Sequence, residues 1–168
     1  MEGRSPSADR QRVRDLIELH EGRWPVPLLD DRGIEAVLRG ARRIAVIGAS
    51  SNPWRPSHGV FETLVQAGYD CVPINPRETA VGGIAAFPTL AEATAATGRF
   101  DIVDVFRRAE LCVEHAREAV DAGAGCLWLQ LGIANWEAAR IAVDGGLAVV
   151  MDRCTAIEIR RLGTVGPG

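Results

Sequence analysis

From Arg42 onward, short apolar runs alternate with helix-patterned segments, and this alternation constrains the fold more than any other feature of the chain. Runs that read as strands occupy 44–47, 69–75, 84–87, 101–106, 126–131 and 147–151. They are nearly continuous in apolar residues, the pattern of strands covered on both faces; a strand with one wet face alternates instead. The segments between them read as helices. Val60, Phe61, Leu64 and Val65 take helical spacing over about 58–67, and Thr89-Leu-Ala-Glu92 is a capping box. A further helix carries Val113, Ala116 and Val120, Asn135 can cap one running to about 143, and Thr155-Ala-Ile-Glu158 opens a last short one. Parallel strands need crossovers of this length, and right-handed crossovers lead to one topology. The expectation is an α/β fold, a Rossmann-like doubly wound parallel sheet of five to six strands in three α/β/α layers.

Residues 1–40 read as an N-terminal helical extension, 41–163 as the sheet domain and 164–168 as a disordered tail. Residues 1–8 read as frayed. A helix with Val13, Leu16 and Ile17 starts at Asp9, Trp24-Pro-Val-Pro27 breaks it, and a second helix over 32–39 carries Ile34, Val37 and Leu38. A chain of 168 residues is one domain and buries roughly 70% of its unfolded surface. The net charge of −3 argues against a nucleic-acid partner. All 19 basic residues are arginine, which excludes Schiff-base and Walker-type lysines and favours forked recognition of anions. No apolar run of spanning length and no secretory leader is visible, so the expectation is a cytoplasmic chain without a membrane partner, monomeric or weakly dimeric. Cys71, Cys112, Cys126 and Cys154 lack metal or disulfide spacing, and the first three read as buried small hydrophobes.

The strand ends carry the chemistry, because ligands of open α/β sheets bind outside the carboxyl ends of the strands. After the first strand come Gly48, Ala49, Ser50 and Ser51, then Arg55 and Ser57 at the start of a helix. Strand, glycine turn and helix N-terminus together direct backbone N–H groups at an anion, usually a phosphate. The other ends supply Asn75, Pro76 and Arg77; Val105, Phe106, Arg107 and Arg108; and Gln130 with Leu131 and Gly132. A dinucleotide site wants Gly-x-Gly-x-x-Gly and an acid closing the second strand. Ser50 and Pro53 stand at the later glycine positions, and that strand ends in Asn75-Pro76. Four arginines, 55, 77, 107 and 108, remain around an anion cradle.

The segments Gly48-Ala-Ser-Ser-Asn-Pro-Trp-Arg-Pro-Ser57, Ile74-Asn-Pro76, Val103-Asp-Val-Phe-Arg107, Leu127-Trp-Leu-Gln-Leu-Gly132 and Val149-Val-Met-Asp-Arg-Cys154 together resemble the stand-alone CoA-binding domain proteins, the YccU-like family. These are similar in turn to the CoA-binding domain of the succinyl-CoA synthetase α subunit. The resemblance covers about 38–162 and implies a Rossmann-like fold that binds coenzyme A across the switch in strand order. It implies a cofactor site of Gly48, Ala49, Ser50, Ser51, Arg55, Ser57, Asn75, Pro76, Val105, Phe106, Arg107 and Gln130. Where the family pattern has proline after Asp-Arg-Cys, this chain has Thr155, whose hydroxyl is expected to cap the last helix.

Nothing in the sequence composes a catalytic group or a metal site. His20, His58 and His115 are dispersed, and Asp101 and Asp104 fall on opposite faces of one strand; the resemblance to the synthetases, whose ligation machinery lies in other domains, implies no acyl-CoA ligation by these 168 residues alone. Cys154, at a strand end beside a helix start, is the one candidate for a mixed disulfide with a ligand thiol. The expectation is non-catalytic binding of CoA or an acyl-CoA by a sensor, carrier or accessory protein. The alternative is an NADP-dependent oxidoreductase with a degenerate fingerprint, which would lack a recognisable proton donor because Tyr69 is the only tyrosine. Trp128 and Trp136 suit either an interface or the core.

Overall fold

The computed structural model describes residues 5–163. Its main sheet has five parallel strands: β1 (Arg43–Ile47), β2 (Asp70–Ile74), β5 (Ile102–Val105), β6 (Cys126–Leu129) and β7 (Ala148–Val150), in the order β2-β1-β5-β6-β7. The two missing numbers are a small antiparallel hairpin, β3 (Ala80–Val81) and β4 (Ile84–Ala85). The strand expected over 84–87 is therefore not a member of the parallel sheet. Its first half turns back on β3 through Gly82 and Gly83, both at positive φ, and only Phe87 reaches the sheet, as a single parallel bridge to Ile74.

Seven α-helices and a short 3-10 helix (Ala109–Leu111) complete the described residues: α1 (Pro6–His20), α2 (Asp31–Gly40), α3 (Pro56–Gln66), α4 (Leu90–Thr97), α5 (Cys112–Asp121), α6 (Trp136–Asp144) and α7 (Thr155–Leu162). They cover both faces of the sheet, and side-chain alternation along each strand sorts the core in two. Ala45, Ile47, Val103, Val105, Leu127, Leu129 and Val149 pack with α4, α5 and α6. Ile44, Val46, Cys71, Ile102, Cys126, Trp128 and Val150 pack with α2, α3 and α7. This is the three-layer arrangement, and it accounts for the near-continuous apolar runs. Trp128 and Trp136 both lie in the core.

Local chemistry sets the helix ends. Thr89 Oγ1 accepts from Glu92 N at 3.2 Å, Asn135 Oδ1 from Ala138 N at 2.9 Å and Asp30 Oδ1 from Gly33 N at 2.8 Å. Helix α1 begins at Pro6, not at Asp9, because proline fits the first turn, where its missing N–H has no intrahelical partner in any case. Residues 1–4 and the tail expected at 164–168 lie outside the described residues. The expected cap at Thr155 is a correction: Cys154 holds the N-cap position without a side-chain bond, and the Thr155 hydroxyl points inward to Asp104 at 3.1 Å.

The extension is built into the domain. Ile34 and Leu38 are completely buried beside β1, Val26 joins the opposite core, and Leu16 and Leu19 pack against it. The Tyr69 hydroxyl donates to Leu38 O at 2.5 Å, and Leu29 N donates to Val149 O at 3.0 Å. No helix among the described residues is long and apolar enough to cross a membrane.

Candidate functional site

Strand order switches between β1 and β5: the chain first moves outward from β1 to β2, then crosses to the other side. Loops leaving these strands diverge there, as they do at the ligand sites of doubly wound sheets. The resulting cleft has two lobes. The first, about 590 Å³, is walled by Gly48, Ser50, Asn52 and Arg55 after β1, by Asn75, Pro76, Arg77 and Glu78 after β2, and by Phe106, Arg107 and Arg108 after β5. The second, about 550 Å³, shares Gly48, Arg55, Phe106, Arg107 and Arg108 and continues to Ser57, Gln130, Leu131, Gly132 and Cys154.

Gly48 is the pinch point. Its φ is +85°, and a Cβ placed there would sit 2.5 Å from Phe106 O. Only glycine lets the chain leave β1 between β2 and β5. The loop beyond it is held by its own side chains. Asn75 Nδ2 donates to Ala49 O at 2.8 Å, and Asn75 Oδ1 accepts from Arg77 N at 3.0 Å. Asn52 N donates to Ser50 Oγ, Trp54 N to Asn52 Oδ1, and His58 Nδ1 lies 2.9 Å from Ser50 O. With its other ring nitrogen 3.2 Å from Glu62, His58 braces the loop from below. The site is thus formed in advance of any ligand.

Arginines dominate its charge, with Glu78 as the one lining carboxylate among the described residues. Among the described residues no carboxylate pairs with Arg55, Arg77 or Arg107, whereas most arginines elsewhere form ion pairs, such as Arg153 with Glu158 and Asp31. Burial, and then the nearby Arg77 guanidinium, pulls Arg107 below its ordinary value. Two guanidinium groups that disfavour each other at the mouth of a preformed cleft suit an anion.

The site residues expected from sequence divide into two groups. Gly48, Ser50, Arg55, Asn75, Pro76, Phe106 and Arg107 line the first lobe, and Ser57 and Gln130 line the second. Ala49 and Val105 are completely buried behind the cleft and reach it only through backbone: Ala49 O anchors Asn75, and Val105 O accepts from Gln130 N at 3.4 Å. Ser51 is turned to Glu78, to which its N–H and hydroxyl both donate, at 2.9 and 3.0 Å. Gln130 is bound beneath the cleft, its Nε2 within 2.6 Å of Asp104 Oδ1 and 2.9 Å of Thr155 Oγ1. Burial pushes Asp104 up to about 7, against the pull of those two hydrogen bonds.

Two charged residues of the cleft escaped the sequence reading. Glu78 is the carboxylate that seemed absent after β2; it stands four residues past the strand and is tied to Ser51 instead of lying open to a ribose. Arg12, from α1, enters the wall of the second lobe, where its Nη1 donates to Gly132 O at 3.3 Å and its buried Nε makes no hydrogen bond, lying 3.9 Å from Asp9 Oδ1. Cys154 is partly exposed in the same lobe, while Cys71, Cys112 and Cys126 are buried and pushed upward by that burial. A larger hollow of about 630 Å³ lies between α1, α2 and the end of β7, where His20 Nε2 lies 2.7 Å from Asp152 and Arg153 pairs with Asp31 at 3.0 Å.

A doubly wound sheet with an arginine-lined cleft at its switch point has the build of a nucleotide-type binding domain. The comparisons narrow that class: the CoA binding domain family matches residues 42–160, and the chain belongs to that family. It is 37% identical over 124 residues to an uncharacterized protein of Bacillus subtilis (strain 168), YneT, a match spanning 74% of this chain and 90% of the other. Among solved structures it is similar to a hypothetical protein from Pyrococcus horikoshii OT3, with a TM-score of 0.75 and 33% identity over 80% of this chain and 94% of that one. A Thermus thermophilus protein gives 0.74 and 35%, covering 80% of this chain and all of that one. The acetyl-coenzyme A synthetase 1 of Ca. Korarchaeum cryptofilum shares the fold at a TM-score of 0.60 and 19% identity, with 68% of this chain matching 26% of the larger one.

Proposed function

We propose that this chain binds coenzyme A or an acyl-CoA in the two-lobed cleft without transforming it, and acts as a sensor, carrier or accessory protein for acyl-CoA chemistry done elsewhere. The observation that carries the reading is the cluster of Arg55, Arg77 and Arg107, unpaired with any carboxylate among the described residues, around the glycine turn at the switch point. Membership of the CoA binding domain family supports the ligand class. Coenzyme A carries a pyrophosphate and a 3′-phosphate, and guanidinium forks bind such groups through paired charge-assisted hydrogen bonds. The non-catalytic role is supported by the way the titratable side chains near the cleft are engaged. His58 is held by Ser50 O and Glu62, and Asp104 is sealed under Gln130 and Thr155.

Titration of the folded chain with CoA, acetyl-CoA, NAD and NADP, followed by thermal shift and calorimetry, tests the reading. Stabilisation that grows with CoA concentration is expected, since a ligand of the native state raises stability in proportion to RT ln(1 + [L]/Kd). Stabilisation by NADP and not by CoA would overturn it. Recovery of intact acyl-CoA after prolonged incubation is expected of a non-catalytic binder, and its steady hydrolysis or transfer would remove that half of the proposal.

A further inference from the structure

The contact between Ser51 and Glu78 does not belong to the ordinary fastening of a loop. Both donors of one residue of the glycine turn, the Ser51 backbone N–H and the Ser51 hydroxyl, converge on the same carboxylate oxygen, Glu78 Oε1, at 2.9 and 3.0 Å. One anionic oxygen accepting from a backbone amide and an adjacent hydroxyl is how a phosphate oxygen is held in a turn before a helix. Glu78 is itself part of the wall of the first lobe, together with Arg55, Arg77, Arg107 and Arg108. Among the described residues it makes no ion pair with Arg55, Arg77 or Arg107; its Oε1 is engaged by Ser51.

We propose that the Ser51 donor pair is a phosphate position of the cleft, and that Glu78 occupies it as an internal competing anion which an incoming phosphate displaces. This rests on the reading of the cleft as a site for a phosphate-bearing ligand. The two hydrogen bonds hold the Glu78 carboxyl below the usual carboxylate range, so the competing charge is in place at neutral pH. Glu78 is not buried and belongs to the loop between β2 and β3, so it can swing away without disturbing the core. Asn75 and Arg77 instead fix the loop's base, through Asn75 Oδ1 and Arg77 N, and stay where they are. A ligand anchored by several phosphates gains enough from the arginines to evict the carboxylate. A single free phosphate, with fewer anchors, meets a stronger competitor. Glu78 thereby sets a threshold for which anions enter.

The test uses the full chain with Glu78→Gln and Glu78→Ala, titrated with inorganic pyrophosphate and separately with CoA. Glu35→Gln serves as the control; it removes the same charge from α2, away from the cleft, where Glu35 pairs with Arg39. Both Glu78 variants are expected to bind pyrophosphate about two- to fivefold more tightly than the parent, the scale of one exposed charge contact converted to affinity. The control should leave the affinity unchanged, and all variants should melt with the parent because the residue is at the surface. Affinity that is equal or weaker in both Glu78 variants, or a gain matched by the control, overturns the proposal. Failure of the CoA reading shows separately, as a chain that binds pyrophosphate and gains affinity on losing Glu78 yet does not bind CoA.

Discussion

Arg107 and Asp104 stand three residues apart on the same strand-and-loop segment and illustrate two ways a charge is made uncomfortable. Arg107 is partly buried beside Arg77 with no carboxylate partner. Replacing it by alanine relieves that repulsion, so the variant should melt no lower than the parent while its Kd for CoA rises about 10- to 100-fold, the value of charge-assisted hydrogen bonds lost. Calorimetry checks this, and an unchanged affinity removes Arg107 from the site. Asp104 is completely buried, and its pKa rises from 3.8 to about 7. The folded chain therefore holds this proton more tightly than the unfolded chain does. Its contribution to stability is fully present below the unfolded value and is lost as the pH climbs through the folded one. Asp104→Asn cannot ionise, so between about pH 4 and pH 8 it should gain on the parent in melting temperature. A difference between the two that stays constant with pH would show that Asp104 does not titrate in this range.

At the scale of elements, α7 connects those residues to the cleft. Its first residue, Thr155, reaches down to Asp104, and the residue before it, Cys154, faces the second lobe. Because Cys71, Cys112 and Cys126 are buried, a thiol reagent applied to the native chain should label Cys154 alone, and Cys154→Ser should abolish the labelling; modification at a second cysteine would mean that the core opens more readily than its packing implies. The inward turn of Thr155 also shows where sequence reading stops. A hydroxyl at a helix start reads as a cap, and nothing local reveals that a buried carboxyl on β5 competes for it. Thr89 and Asn135 were legible as caps because their side-chain oxygens stay with the first-turn N–H groups, even where Asn135 Nδ2 also donates to Ala109 O. The strands were legible because burial on both faces writes itself as apolar runs. The 84–87 run failed for the same reason: two residues of a hairpin are as apolar as two of a sheet, and the reversal depends on the Gly82-Gly83 turn. Most of the cleft was legible from strand ends. Glu78 and Arg12 were not, since one is returned to the site by the folding of its own loop and the other arrives from 120 residues away.

For the molecule as a whole, the family match begins at residue 42, yet the core begins earlier. A chain lacking 1–40 loses Val26, Ile34 and Leu38 from the two cores, each worth about 1.5–3 kcal/mol of burial. That sum rivals the net stability of a typical domain, roughly 5–15 kcal/mol. The truncated chain should therefore lose its cooperative urea transition, and a transition retained at the parent's midpoint would return the extension to the status of an appendage. The same segment has a further consequence through Leu29, whose amide lies on Val149 O along the outer side of β7. On the far side of the sheet, Phe87 lies along β2, bonded to Pro73 O and Asn75 N, and Pro73 has no amide to offer outward. Each open border of the sheet is thus blunted by a piece of the protein's own chain. A foreign strand finds little to zip onto, so the sheet is guarded against growing into a fibril, and any protein that docks here must do so on helices or at the cleft mouth.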